Sequence, residues 1–475
     1  MSATLSRVGP AGQRLQPLLC PLLSATSNSW RGNRAKARET ARGVTDDPTA
    51  VVFQYAGEKA KRRKRVYIWG SCLTGALGHD RLVRPRTGAQ PRAAHAKPYK
   101  TPFAEVFKVE DVACGYGFTI FSALEDKVKS SHRVFGTGLN TDFQLGYQCV
   151  RKGKYFWPST FYSEGHPLEV LTEPVPIALP LRSEATRIVK VACGRSHTVV
   201  LTDREGAFSL GNNAFGQCGY PAVPNEKRKN DSTVYRVEGI PDDVLDVACG
   251  QDHTLFLTSS GKVFSCGWGA DGQLGLGNTL SQGVPRQVKG DLDGQKIVQL
   301  AGSVDCILAV SESGDLFGWG SSEYGQFGRQ TDEKQVSEAR HLGFPYGKVR
   351  FAATGATMCG VVNEAGDVYV WGYGLLGLGP EVSFRSSPTL LPRPLFGAGR
   401  FSPDVQVAQL YCGLGHFAAV TDKGDLYTWG KNRNGCLGLG HPLDQYFPFR
   451  VSITAEVLKV SCGVDHMAAL CRSYC

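Results

Sequence analysis

Methionine is scarce in this sequence, with three residues in 475, so a Met-rich surface that adapts to many partners is not expected. No apolar run approaches the ~18 residues that a membrane-spanning helix needs. Walker-type phosphate loops, G-x-S-x-G elbows and H-E-x-x-H zinc motifs are all missing. Acidic pairs such as Asp242/Asp243 are typical of turns. These absences predict a protein that binds partners, with no cofactor, no metal and no catalytic site.

The cysteines do not form a recognisable disulfide or metal framework. There are fifteen, an odd number, and no C-x-x-C pair occurs among them. Most recur at equivalent positions of an internal repeat, which favours buried, reduced thiols in a non-oxidising compartment.

Positive charge is concentrated near the N-terminus. Residues 1–100 hold 19 Lys and Arg against 5 Asp and Glu, whereas the rest of the chain holds 34 against 38. This asymmetry indicates an address signal or a polyanion-binding arm rather than a basic fold.

The leader has the composition of an organellar transit peptide, because residues 1–45 are rich in Arg and Ser and contain one acid, Glu39. A disordered basic tail is the alternative. A secretory signal is disfavoured, since the apolar stretch Leu15–Leu23 is short and contains Pro17 and Pro21. We predict a transit peptide or disordered leader over 1–50 and a basic linker over 51–64. Three interpretations of the basic run from Lys59 are open: a nuclear-import signal, a nucleic-acid contact, or a solvated segment that leads into the first strand.

A Gly-centred motif occurs seven times, as in Leu316-Phe-Gly-Trp-Gly-Ser-Ser-Glu-Tyr-Gly-Gln-Phe-Gly. Its central glycines are Gly70, Gly138, Gly211, Gly267, Gly320, Gly372 and Gly430. A second motif, V-A-C-G-x-x-H-T, also occurs seven times, with glycines Gly115, Gly194, Gly250, Gly302, Gly355, Gly413 and Gly463. Both motifs are typical of short strands bounded by turns. After a first interval of 79 residues, the copies of the second motif lie 50–58 residues apart. Such repeats indicate a propeller or a solenoid.

The order of the two motifs separates these two folds. The second motif precedes the first within each repeat, yet the last copy, at Gly463, has no partner before the chain ends. The unpaired copy of the first motif lies at the other end, at Gly70. The sequence therefore predicts an all-β, seven-bladed β-propeller over 65–475, closed by pairing of the N- and C-terminal strands near Trp69 and His466.

The repeated residues are interpreted as structural. The glycines Gly70, Gly194, Gly250, Gly320, Gly372, Gly413, Gly430 and Gly463 should supply positive φ or close backbone approach. The tryptophans beside the first motif should pack between blades.

Four repeats contain Cys-Gly-x-x-His, but residues four apart on a strand are too distant to share one zinc ion. The equivalent pairs elsewhere are predicted to be Cys114/Phe118, Ala301/Asp305 and Thr354/Met358. Two G-x-G-x-x-G matches, at Gly267 and Gly372, precede no helix and are interpreted as turns.

The V-A-C-G-x-x-H-T and W-G-x-x-x-x-G-Q-L-G motifs resemble the repeats of the regulator of chromosome condensation family over about residues 65–475. With an Arg-rich leader in front, the chain is most similar to the mitochondrial, exchange-factor-like branch of that family. This resemblance implies a location in the mitochondrial matrix, with association at the inner-membrane surface and no membrane span. It also implies guanine-nucleotide exchange on a mitochondrial dynamin-like fusion GTPase. A role in assembling the large mitochondrial ribosomal subunit, with mitochondrial rRNA and rRNA-modifying factors as partners, is implied as well. An rRNA-binding assembly factor without exchange activity is the alternative.

Two connections between motifs are unusually long, about 79–110 and 147–187, and propellers carry function on loops at their faces. The first connection is basic, with Asp80 as its one acid up to Lys100. The second contains the candidate partner- or RNA-binding residues Arg151, Lys152, Lys154, Tyr155, Phe156 and Trp157. These side chains could bind phosphates and stack on bases, form a protein-binding hot spot, or pack back onto the rim.

Overall fold

A computed structural model describes residues 64–83, 90–124, 132–149, 167–222, 233–327 and 333–474. In these residues 28 strands form seven antiparallel sheets of four strands each. Each sheet is one blade, and the first strands of neighbouring blades contact each other around the ring axis. The predicted all-β, seven-bladed propeller is confirmed.

The strands of the first half of the chain are β1 (Lys64–Ser71), β2 (Ala94–Lys100), β3 (Lys108–Cys114), β4 (Phe118–Leu124), β5 (His132–Leu139), β6 (Val170–Ile177), β7 (Ile188–Cys193), β8 (His197–Thr202), β9 (Ala207–Gly211), β10 (Tyr235–Arg236), β11 (Val244–Cys249), β12 (His253–Thr258), β13 (Val263–Gly267) and β14 (Gln282–Gln287). One short helix, α1 (Asp80–Val83), follows β1.

The strands of the second half are β15 (Ile297–Gly302), β16 (Cys306–Ser311), β17 (Leu316–Ser321), β18 (Gln335–His341), β19 (Val349–Thr354), β20 (Met358–Asn363), β21 (Val368–Tyr373), β22 (Phe384–Leu391), β23 (Val407–Cys412), β24 (His416–Thr421), β25 (Leu426–Gly430), β26 (Gln445–Arg450), β27 (Glu456–Cys462) and β28 (His466–Arg472). Single 3-10 turns span Phe103–Glu105, Arg393–Phe396 and Arg433–Gly435.

Blades 1 to 6 are formed by consecutive groups of four strands, from β3–β6 to β23–β26, and blade 7 has the order β27-β28-β1-β2 from the axis outwards. The pairing of β1 with β28 runs without interruption from Lys64 opposite Arg472 to Gly70 opposite His466. The predicted closure by the two chain ends is therefore confirmed. It hydrogen-bonds both edges of β1, which leaves no open end to the ring.

A buried carboxylate reinforces this closure from inside the ring. Asp111 of blade 1 forms an ion pair with Lys459 of blade 7, and its Oδ2 accepts a hydrogen bond of 3.0 Å from the backbone N–H of Val191 in blade 2. Asp111 thus joins three blades at the point where the chain closes on itself.

The tryptophans of the first motif pack between blades, and all four are at most 2% exposed. Each indole N–H donates to a backbone carbonyl of the preceding blade: Trp69 to Cys436, Trp319 to Gln273, Trp371 to Gln326 and Trp429 to Leu376, at 2.6–3.1 Å. The same side chain therefore fills the space between two blades and hydrogen-bonds them together.

The two long connections each contain a strand. Residues 94–100 form β2, the outer strand of blade 7, and residues 170–177 form β6, the outer strand of blade 1. The sequence did not indicate these strands, because outer strands are half-exposed and share no motif between repeats. Among the described residues, no helix is long and apolar enough to cross a membrane.

Candidate partner-binding faces

The ring has two faces with different loops. The turn face carries the turns between the first and second strands of each blade and the loops between the third and fourth. The connector face carries the turns between the second and third strands and the connections from one blade to the next.

The glycines of the first motif lie opposite the residue that begins each second strand. Gly70, Gly320, Gly372 and Gly430 pair with His466, Cys306, Met358 and His416. At Gly70 the φ angle is 112°, and a Cβ atom would lie 2.3 Å from the carbonyl oxygen of Asp465. Only glycine fits this approach without displacing the backbone.

The glycines of the second motif, Gly194, Gly250, Gly413 and Gly463, make room for the histidine three residues later. A Cβ on Gly250 would lie 2.0 Å from Cε1 of the His253 ring, and a similar overlap occurs at the other three. The Cys-Gly-x-x-His segment is thus a packing unit in which the imidazole covers its own turn. The described residues contain no group of three or more His, Cys, Asp or Glu side chains that could hold a metal ion.

Two of these histidines bind the next blade. Nε2 of His197 lies 3.0 Å from the Thr254 hydroxyl, which itself donates to the Gln217 carbonyl. Nε2 of His466 lies 2.9 Å from the Thr119 hydroxyl, which donates to a backbone carbonyl in the same way. Since each hydroxyl proton is already used, the histidine Nε2–H must be the donor.

Blade 4 corrects one pair of the sequence alignment. Ala301 and Asp305 were predicted to occupy the Cys and His positions. In the structure Gly302 pairs with Ile307, as Cys249 pairs with Thr254, and Cys306 lies opposite Gly320. The alignment was one residue out because it superposed glycines, whereas strand register decides which side chain faces the next blade. Cys306 there contacts Cys359 of blade 5, with 3.7 Å between the sulfur atoms.

The predicted partner-binding residues Arg151, Lys152, Lys154, Tyr155, Phe156 and Trp157 lie outside the described residues. The described ends of their loop are on the turn face of blade 1, where the N–H of Leu168 donates to the carbonyl of Gln148 at 2.8 Å. The role of these six residues stays a prediction.

The structure reveals a second aromatic group on the turn face, which we call the aromatic seam and define as Tyr324, Tyr373 and Phe384. Tyr324 and Tyr373 come from neighbouring blades and stack with ring centroids 5.7 Å apart. The three side chains are 41%, 49% and 48% exposed, and the Phe384 ring lies against Gly325. Sequence reasoning missed the seam because Tyr324 and Tyr373 occupy variable positions of the first motif in two different repeats, and Phe384 lies outside the motif.

Acidic side chains surround the axis on the same face. Asp252 forms an ion pair of 2.7 Å with Arg195, and Asp305 accepts a hydrogen bond of 2.8 Å from the Gln273 amide. Burial, together with the nearby carboxylate of Asp271, raises the pKa of Asp305 to about 6. Burial also raises the pKa of Asp252, against the opposing effect of Arg195. This part of the turn face therefore contains one ion pair, Arg195–Asp252, and one carboxyl group with a raised pKa, Asp305.

A basic strip lies at the rim of the turn face, where blade 7 meets blade 6. We define it as Arg92, His95, Lys97, Tyr99 and Arg433. The two blades touch at Ala96, whose carbonyl accepts from the N–H of Gly440 at 2.7 Å. The Tyr99 ring contacts His79 and His95 edge-on, at 5.2 and 5.5 Å. Arg92, Lys97 and Arg433 are exposed. Asp80 is the single acid of residues 79–100, so this rim is strongly positive.

One shallow depression on the turn face lacks the side chains that covalent chemistry needs. This depression of about 360 Å³ lies between blades 2 and 3, with Phe215, Pro221 and Val284 in its wall. No titratable side chain is among the described residues that line it. The two G-x-G-x-x-G segments lead from third strands through a loop into the outer strands β14 and β22, as turns do.

The closed ring of seven similar blades is matched by a family model. The RCC1-like domain matches residues 65–469. The chain belongs to the RCC1-like family. It is 47% identical over 474 residues to the human RCC1-like G exchanging factor-like protein, with 98% of each chain covered. The mouse protein of that name is 46% identical over 452 residues, which is 93% of this chain and 94% of that one.

Solved structures agree with this assignment. The crystal structure of human WBSCR16 has a TM-score of 0.79 at 46% identity and covers 87% of this chain and 100% of its own. Yeast RCC1 (Prp20), bound to Kap60, has a TM-score of 0.68 at 21% identity, over 87% and 90% of the two chains, and shares the fold. This RCC1-like chain therefore belongs with exchange-factor-like regulators rather than with enzymes that make or break covalent bonds.

Proposed function

We propose that this RCC1-like protein is a guanine-nucleotide exchange factor for a mitochondrial dynamin-like fusion GTPase, which it binds through its turn face. The proposal depends on one observation, the identity of 46–47% over nearly the whole chain to relatives named as exchange-factor-like. Exchange needs no catalytic side chain. By linkage, a surface that binds the nucleotide-free GTPase more tightly than the GDP-bound form weakens GDP binding by the same factor. A closed ring provides a rigid surface of this kind.

The aromatic seam supplies the first test. Exposed tyrosines that lie together and need little ordering are typical hot-spot residues. We expect the full chain to accelerate release of fluorescent GDP from the purified GTPase. We expect Tyr324→Ala with Tyr373→Ala to weaken binding of the GTPase by about 30-fold or more.

The matched control is Tyr346→Ala, because Tyr346 is 45% exposed but lies on the connector face. The Tyr346→Ala variant should accelerate GDP release as much as the wild-type chain does. Unaltered GDP release by the wild-type chain, across mitochondrial dynamin-like GTPases, would remove exchange activity from the proposal. An equal loss of GTPase binding in both variants would rule out the turn face as the binding surface.

We place the protein in the mitochondrial matrix, with peripheral association at the inner membrane, on the composition of residues 1–50. Proximity labelling in intact cells, with the full chain and with a chain lacking these residues, tests the compartment. Labelling of matrix proteins that persists without residues 1–50 would contradict the address.

A second function, binding of mitochondrial rRNA during assembly of the large ribosomal subunit with rRNA-modifying factors, is favoured by the basic strip. Exposed Arg and Lys side chains bind phosphates, and an aromatic ring such as Tyr99 can stack on an unpaired base. The chain beyond residue 100 is slightly acidic as a whole, so the positive charge of the strip differs from that of the remaining propeller.

Arg92→Glu with Lys97→Glu should therefore weaken binding of a single-stranded fragment of the large rRNA by about 10-fold or more. Loss of two phosphate contacts should also reduce the slope of log K against log salt by about 1.4. The measurement is a titration at several salt concentrations.

Lys262→Glu with Lys289→Glu changes the net charge equally on the connector face and serves as the control. An identical loss in both double variants would show a nonspecific charge effect and would count against the strip. The sequence-predicted pair Lys152→Ala and Trp157→Ala forms a separate arm, because the loop and the strip could bind RNA independently.

A further inference from the structure

The connector face carries an aromatic side chain that the proposed function does not use. Residues 392–406 connect the outer strand β22 of blade 5 to the inner strand β23 of blade 6. Phe401 lies in this connection and is 96% exposed, more than any other large apolar side chain described. Burial of an aromatic ring is favourable, so the full exposure of Phe401 leaves that stabilisation unused in the isolated chain.

The connection around Phe401 is held firmly. Phe396 is 3% exposed, and its ring packs edge-on against Tyr427 and Trp429 of blade 6 with centroids 5.8 Å from each. Arg393 donates from Nε to the Asp367 carboxylate at 2.5 Å. These contacts fix the start of the connection to both blades.

The tip itself is a closed turn. The backbone N–H of Gly399 donates to the carbonyl of Ser402 at 3.3 Å, and the N–H of Ser402 donates back to Gly399 at 3.0 Å. Arg400 and Phe401 project from this turn. A side chain presented on a preorganised turn loses little conformational entropy on binding, which favours its use as an anchor.

Two more exposed aromatic side chains lie on the connector face, one in blade 6 and one directly after the second strand of blade 7. Phe449 is the second-last residue of β26 and is 57% exposed; Tyr474 follows β28 and is 55% exposed. Arg450 interacts electrostatically with Tyr474, which places the tail beside β26. Exposed aromatic residues with arginine between them have the composition of protein-binding hot spots.

The charges of this region distinguish between classes of partner. Arg393 is paired with Asp367, Arg450 is paired with Asp425 at 2.5 Å, and Arg400 is close in sequence to Asp404. Three guanidinium groups are thus balanced by three carboxylates. RNA or an anionic membrane would gain little from a neutral surface, since both are attracted by net positive charge. A protein partner that binds through an apolar pocket does not require a net charge on this surface.

We propose that Phe401 is the anchor of a second protein-binding surface, on the connector face, and inserts into an apolar pocket of a folded protein partner. Phe449, Arg450 and Tyr474 lie on the same face, in blade 6 and directly after the second strand of blade 7. This surface lies on the opposite face from the seam and the strip, so the protein can hold two partners at once. The proposal does not depend on exchange activity.

The test begins with a photoreactive phenylalanine analogue, p-benzoylphenylalanine, in place of Phe401 in the full chain in intact cells. The same analogue at Leu280, which is 72% exposed on the turn face, is the matched control. We expect a discrete adduct with another protein from position 401 that position 280 does not form. That protein is then purified and titrated against the unmodified chain, Phe401→Ala and Leu280→Ala.

Phe401→Ala should weaken this binary complex by about 30-fold or more, whereas Leu280→Ala should leave it unchanged. The thermal midpoint should be the same in all three chains, because a fully exposed ring contributes little to folding. Undiminished binding by Phe401→Ala overturns the proposal. An adduct only with residues 1–63 of the same chain, or only with a second copy, also overturns it. Binding to phosphatidylcholine–cardiolipin vesicles that is lost in Phe401→Ala assigns the anchor to a membrane instead.

Discussion

A chain that ends at Ala455, and so lacks β27 and β28, is expected not to form a stable monomeric ring. Removing these strands leaves one edge of β1 unpaired along Lys64–Gly70 and takes Met467 away from Trp69. It also removes seven buried apolar side chains, namely Val457, Val460, Met467, Ala468, Ala469, Leu470 and Cys471. Most domains are stable by only ~5–15 kcal/mol, and each large buried side chain contributes ~1.5–3 kcal/mol.

Size-exclusion chromatography and urea unfolding followed by circular dichroism measure the effect. The shortened chain should aggregate or unfold without a cooperative transition. The matched control ends at Ser473, loses two residues and keeps every strand, so it should behave as the full chain does. A cooperative transition at the same urea concentration for the chain ending at Ala455 would show that closure is not needed for stability.

The second large effect is a loss of stability in mild acid. Burial lowers the pKa of His197 to about 3, with smaller contributions from His253 and Arg195. Burial lowers the pKa of His253 to about 4 and, with His466 nearby, that of His416 to about 4. Because the unfolded chain has histidines with pKa values of about 6.5, it binds more protons than the folded chain between pH 6.5 and 4. Stability should therefore fall as the pH falls through this window.

Each of these three histidines should lower the free energy of unfolding by about 2 kcal/mol at pH 5 relative to neutral pH. His466 acts in the opposite direction. Burial lowers its pKa, but Cys114 and Asp465 raise it above the ordinary value, so its contribution is fully present below pH 6.5. The net loss should remain several kcal/mol, measured as the free energy of unfolding in urea at pH 7.5 and pH 5.

Blade 5 offers a matched variant for this prediction. Its residue at the histidine position is Met358, which is 1% exposed. No ring nitrogen of His253 has a hydrogen-bond partner in the described part of the chain, and Nε2 of His416 also has none. His253→Met with His416→Met should remove about 4 kcal/mol of the acid-dependent loss. If the double variant is as sensitive to pH 5 as the parent chain, the protonation of these two histidines is not the cause.

The repeat was readable in the sequence because packing forces the same residue at the same place in every blade. A Cβ atom on Gly70, or on the equivalent glycine of any other blade, would lie only 2.0–2.6 Å from a backbone carbonyl oxygen. No other residue fits there. The indole of Trp69 fills the space between its own blade and the preceding one. The outer strands β2 and β6 escaped prediction because their side chains are half-exposed and meet no such constraint.

The candidate sites were harder to predict for a related reason. The aromatic seam brings together Tyr324 and Tyr373, which are 49 residues apart in the chain and occupy positions of the first motif that vary between repeats. The basicity of residues 81–100 was evident, but its position beside Arg433 depends on how blade 7 meets blade 6. The candidates at Arg151–Trp157 lie outside the described residues and remain untested.

By itself the sequence determined the number of blades, the family and the joining of the chain ends, because each follows from spacings and motifs repeated along one chain. Only the tertiary structure decided which side chains meet a neighbour and which meet solvent. The His197 ring hydrogen-bonds Thr254 of the next blade, the ring nitrogens of His253 have no hydrogen-bond partner in the described part of the chain, and the Phe401 side chain is exposed to solvent. The physical reason is that exposure and hydrogen bonding are set by the adjacent blade, whose residues lie about fifty positions away and vary from one repeat to the next.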